Sequence, residues 1–129
     1  MKNKHGEYFA ILVLICIIVF TFAACSTDSD LVPRNGTWTM TDNSMQFIFS
    51  GSNFTLQAYN ISVWENVNKG NFTISGTSIT FNFTESWVGG HWQTDPFSQS
   101  GTITKLNDTS FSLNGGSLHI DLIGTYIKQ

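Results

Sequence analysis

The chain has 129 residues, with six Lys and Arg against nine Asp and Glu, and only 12% of its residues are charged. That length holds one domain, and a net charge of −3 leaves no basic footprint for nucleic acid. Ser, Thr, Asn and Gly are common and aromatic residues make up 14%, a composition of strands and turns rather than of helices.

In chain order the first feature is Lys2 and Lys4 ahead of an apolar run that begins near Phe9, the layout of a secretory signal. The run is shorter than the roughly 20 residues that span a bilayer. It ends in Phe22-Ala23-Ala24-Cys25, small residues directly before a cysteine. This ending resembles the lipobox of bacterial lipoproteins. The resemblance implies a signal peptide over residues 1–24, cleavage between Ala24 and Cys25, a diacylglycerol on the Cys25 sulfur and acylation of the new amino group. The expected address is the cell envelope, lipid-anchored to a bacterial membrane, the outer membrane or cell surface rather than the inner membrane. Two or three chains, at about 0.8 kcal/mol per buried methylene, hold far better than one.

From Cys25 onward four cations face eight acids. Cys16 leaves with the leader and Cys25 takes the lipid, so no disulfide can form within the domain and the core alone must stabilise it. Residues 25–34, with the polar and acidic Ser-Thr-Asp-Ser-Asp at 26–30, read as a flexible tether.

The domain, residues 35–129, alternates with period two almost throughout. Trp38 and Met40 share one face, then Met45, Phe47 and Phe49, then Phe54, Leu56 and Ala58. The apolar parity then passes to Tyr59, Ile61 and Val63, which predicts a bulge or bend near Tyr59-Asn60. Asn68-Lys69-Gly70 reads as a turn. Phe72 and Ile74 follow, and after the turn at Gly76-Thr77 come Ile79, Phe81 and Phe83. Residues 102–106 and Phe111 with Leu113 read as short strands, and Leu118, Ile120, Leu122, Gly124 and Tyr126 as a last one on a single parity. Asn-Phe-Thr recurs at 53, 71 and 82, with Phe expected inward and Asn and Thr outward.

About eight strands joined by short turns make an antiparallel meander. An open meander leaves two unpaired edges, and closure into an all-β up-and-down barrel removes both. Eight strands leave an interior that side chains just fill, or that holds one small ligand. Gly36-Thr37-Trp38 at the start resembles the Gly-x-Trp opening of lipocalins, and Gly124-Thr125-Tyr126-Ile127-Lys128 resembles the closing strand of small bacterial lipocalin-like lipoproteins. The resemblance implies a lipocalin-like barrel that binds a ligand at its mouth.

Residues 84–100 carry the remaining chemistry. Gly89-Gly90 suits a two-residue hairpin turn, which would set Val88 opposite His91, Trp87 opposite Trp92 and Glu85 opposite Thr94. Glu85 and Trp87 continue the parity of Phe81 and Phe83, so Glu85, Trp87 and Trp92 are expected around the barrel mouth. Asp95-Pro96 is expected to break the return strand. The reading is a monomeric binding protein taking a small apolar or amphipathic ligand, buried against Phe81, Phe83 and the two indoles and oriented by Glu85. The alternatives are a hairpin at 85–97 that grips or inhibits a partner protein, and tryptophans that merely cap the core. His91 with Asp95 or Glu85 makes no recognised metal pattern. The hairpin register puts Glu85 and Asp95 on opposite faces, away from a sugar-hydrolysing pair. There is no Gly-x-Ser-x-Gly elbow and no thiol left after lipidation, so neither enzyme nor cofactor is expected.

Overall fold

The computed structural model describes residues 35–129. The leader, Cys25 and the tether lie outside the described residues. Eight antiparallel strands follow in order: β1 Gly36–Met40, β2 Met45–Ser50, β3 Asn53–Asn60, β4 Val63–Ser75, β5 Ser78–Val88, β6 His91–Asn107, β7 Ser110–Asn114 and β8 Gly124–Lys128. Each pairs with the next, and β8 returns to β1 through Trp38 opposite Lys128 and Met40 opposite Tyr126, so the barrel is closed. Closure removes the edges that an open meander would expose.

Alternation drives the fold. Inward positions on neighbouring strands fill the barrel with Phe47, Phe49, Phe54, Phe72, Phe81, Phe111 and Tyr126, all buried. Phe47 lies at the centre, stacked on Phe81 at 5.0 Å and on Phe49 at 5.2 Å, with the edge of Phe54 at 5.7 Å. Such pairs add about 0.5–1.5 kcal/mol each beyond the area they bury. The Phe of every Asn-Phe-Thr triplet is buried, as the alternation requires. On the outer face Thr39 donates to Gln46, Gln46 to Gln57 and Gln57 to Asn66, a ladder of side-chain amides that ties β1 to β4.

The two ends of the barrel differ. Asn35 and Gln129 sit at one end with the turns at 51–52, 76–77 and 108–109. The turns at 41–44, 61–62 and 89–90 form the other end, together with the longer 115–123 connection. That connection holds a single 3₁₀ turn, Ile120–Leu122.

Four expectations give way. Asn68-Lys69-Gly70 is not a turn, because β4 runs straight through it. Gly70 is there for room: a Cβ would fall 2.0 Å from the Asn82 carbonyl oxygen of the neighbouring strand. The parity change after Ala58 is not a bend in one strand but a tight turn at Ile61 and Ser62, between β3 and β4, with φ values of 51° and 123°. Residues 102–106 are not a separate strand, because β6 continues through Pro96 without a break. From His91 to Gly101 that strand pairs with β5 on one side and has no β7 partner on the other, so the missing proline N–H costs little. Residues 118–122 are not strand: Leu118 and Leu122 are buried while Ile120 is 76% exposed. Leu118 folds over Gly101, where any side chain would collide with it. The Tyr126 hydroxyl donates to the Leu122 carbonyl at 3.0 Å and holds the 3₁₀ turn down.

Candidate binding surfaces

The β5–β6 hairpin forms in the expected register, with Val88 opposite His91, Trp87 opposite Trp92 and Glu85 opposite Thr94. Its faces are the reverse of the expected ones. Gly70 of β4 pairs with Phe83, but Lys69 pairs with Glu85, so Thr84 is an extra residue on β5. A one-residue bulge moves every later side chain to the other face. Phe81 and Phe83 remain in the core, 0% and 3% exposed. Glu85 and Trp87 turn outward, in the row of Ile48, Thr55 and Lys69, while Ser86 takes the inward row of Phe47, Leu56 and Asn68. Trp92, opposite Trp87, faces outward too. The bulge separates the five residues expected to hold one ligand: Phe81 and Phe83 belong to the barrel core, and Glu85, Trp87 and Trp92 to its outer surface rather than its mouth.

The outward group is tightly organised. Lys69 Nζ lies 2.8 Å from a Glu85 carboxylate oxygen and 4.7 Å from the centre of the Trp92 ring. The two indoles meet edge to face at 5.0 Å. Lys69 thus carries an ion pair and a cation–π contact together. Nothing in its own surroundings in the sequence marks it; its role follows from cross-strand register.

The inward side of the same hairpin lines the mouth. Phe97 stacks on Phe83 at 4.3 Å, and with Leu56 and Leu122 they floor a depression of about 230 Å³. Asn68, Gln99, His119 and Asp121 rim it. Asn68 donates to Ser86 at 2.7 Å and Ser86 to Asp95 at 2.6 Å, so Asp95 lies on the face opposite Glu85. Gln99 accepts from the His119 N–H at 2.9 Å, fastening the 115–123 connection to the rim. Below the depression lie the buried rings of Phe47, Phe54 and Phe81. At about 230 Å³ the depression is smaller than usual small-ligand pockets, which exceed about 300 Å³. Phe97 went unseen in the sequence because the strand was expected to stop at Pro96. Among the described residues no group of three His, Cys, Asp or Glu side chains is placed to hold a metal.

No family model, curated protein or solved structure matches the chain.

Proposed function

We propose that the chain is a lipid-anchored, extracytoplasmic interaction module that binds through the outer face of its β5–β6 hairpin rather than by enclosing a ligand. One observation carries the reading: buried aromatic side chains occupy the inward rows of the barrel, while the indoles of Trp87 and Trp92 stand outside it. Binding is by contact alone, with no bond chemistry. The lipobox-like Phe22-Ala23-Ala24-Cys25 supports the anchor. The tether joins at Asn35, at the barrel end opposite the hairpin tip, and its ten residues reach at most about 35 Å.

The depression at the mouth favours a second reading, a small amphipathic ligand held against Phe83 and Phe97 in a lipocalin-like manner. A photo-cross-linking residue placed at Thr94, on the outer face opposite Glu85, or at Thr109, in cells making the full chain, separates the two ends of the barrel. Adducts from position 94 and none from 109 are expected. Equal adducts from both, or none from 94, defeat the hairpin reading. Labelled fatty acid should appear on the protein and vanish in Cys25→Ala; a label that persists, or never appears, removes the anchor.

A further inference from the structure

Beside the hairpin, on the outer face, a shallow open groove of about 430 Å³ crosses β2, β3, β4 and the bulged part of β5. We propose that this groove is a carbohydrate-binding site that takes a neutral oligosaccharide chain, with Trp87 and Trp92 as stacking surfaces at its upper end. The inference rests on the hairpin's outer face being the working surface, and it names the class of its occupant.

The lining chemistry leads to that class. Ser50, Asn53, Thr55, Asn71 and Thr84 line the groove, and every one of their side chains both donates and accepts hydrogen bonds. Sugar hydroxyls do the same, and answer such a surface group for group. Two of these side chains, Asn71 and Thr84, are already held in place. Asn82 donates to Asn71 Oδ1 at 3.1 Å and accepts from Ser98 at 2.9 Å, which fixes the Asn71 amide and leaves its two N–H bonds free of that contact. Thr84 Oγ1 is held by the Lys69 carbonyl at 3.3 Å. Groups fixed beforehand lose less freedom when a ligand arrives.

Charge narrows the class. The charged residues lining the groove are Lys69 and Glu85, and they neutralise one another at 2.8 Å. A neutral chain meets no unpaired charge there, whereas an acidic or basic one would have to compete with the existing pair. The aromatic end supplies the remaining element. Trp87 is 36% exposed and Trp92 half-buried, their rings roughly perpendicular at 69°. The face of a pyranose that carries its C–H bonds is apolar and slightly positive, and it suits the electron-rich face of an indole. Lys69, which lines the groove and also caps the Trp92 ring, joins the two halves of the site.

A protein partner fits less well. The cores of protein interfaces favour aromatic residues, Met and Arg and are poor in Ser. This groove sets the hydroxyls and amides of Ser50, Asn53, Thr55, Asn71 and Thr84 beside the apolar Ile48 and Phe54, and its volume falls within the range of ligand sites.

The test uses the full lipidated chain, purified in a detergent without a sugar head group, and three neutral probes: chitotetraose, cellotetraose and maltotetraose. Indole N–H signals are followed by nuclear magnetic resonance, with buried Trp38 as the internal control for folding. At least one tetrasaccharide should shift the Trp87 and Trp92 signals saturably and leave that of Trp38 in place. Trp87→Ala and Asn71→Leu should each weaken that binding at least tenfold, the second with both indoles retained. Glu85→Gln, which leaves Lys69 unpaired, should move preference toward acidic tetragalacturonate. Silence from all three neutral probes overturns the carbohydrate assignment. If position 94 still cross-links to a protein, the working face survives with a protein occupant; if it does not, both readings fall.

Discussion

Tyr126 shows how much a single polar atom does in this barrel. Its ring is fully buried against Phe47 and Phe111, and its hydroxyl is the tie between β8 and the 3₁₀ turn. Tyr126→Phe keeps the packing and leaves the Leu122 carbonyl without its donor, so a loss of about 1–2 kcal/mol is expected in urea unfolding. Burial, with a smaller push from the Asp42 carboxylate, raises the phenol's pKa above its ordinary value. The folded state therefore holds its proton at a pH where the unfolded chain releases it. This contribution to stability is complete below about pH 10, the ordinary tyrosine value, and is lost as pH rises beyond it. Tyr126→Phe should flatten that alkaline loss; an unchanged alkaline profile would remove Tyr126 as its cause. Trp38 is the opposite case: its indole N–H is buried and has no partner among the described residues.

At the scale of elements, bulges and turns decide which surface each strand presents. The β3–β4 turn places Ile61 and Ser62 at positive φ, and Ile61 is 93% exposed. A β-branched residue in the left-handed region is strained, by about 1–2 kcal/mol, and turns of this hand prefer Asn-Gly. Ile61→Asn with Ser62→Gly should therefore raise stability by about 1–2 kcal/mol, read as a higher urea midpoint with an unchanged slope. A fall in the midpoint would mean that Ile61 is held by contacts beyond its own backbone. The same reasoning explains two misleading signals. Ile61-Ser62 turns without a turn residue, and Asn68-Lys69-Gly70 has turn residues without a turn. Gly70 answers to the backbone of β5 rather than to its own φ. The bulge at Thr84 has no marker either, since Thr84 continues a regular alternation of Phe, Thr, Glu, Ser and Trp. What makes it extra is that Lys69 and Gly70 of β4 pair around it.

For the whole molecule, the filled core is the main source of stability, because no disulfide is available within the domain. Phe47 touches four other aromatic rings and is fully buried. Phe47→Ala should cost about 3–5 kcal/mol. That is a large part of the about 5–15 kcal/mol that holds a domain together. The expected outcome is a fall in Tm of ten degrees or more, and a loss below 1 kcal/mol would mean that the barrel collapses to refill the space. Charge is also spread unevenly over the molecule. Lys69 pairs with Glu85 and Lys105 with Asp108, while Asp42, Glu65, Asp95 and Asp121 gather toward the mouth end, opposite the tether's point of entry.

The all-β alternation, the closed eight-stranded barrel, the inward Phe of each Asn-Phe-Thr and the register of the Gly89-Gly90 hairpin were legible in the chain itself, because alternation and glycine pairs are local signals; the limits of β4, β6 and the last strand were not. The face of the hairpin was not. Whether Glu85, Trp87 and Trp92 point into the barrel or away from it depends on one extra residue at Thr84, and a bulge is defined only by the strands beside it. For the same reason Lys69 and Phe97 came into view only once β4, β5 and β6 lay side by side: each acquires its role from a neighbour distant in sequence, and only the tertiary structure supplies that neighbour.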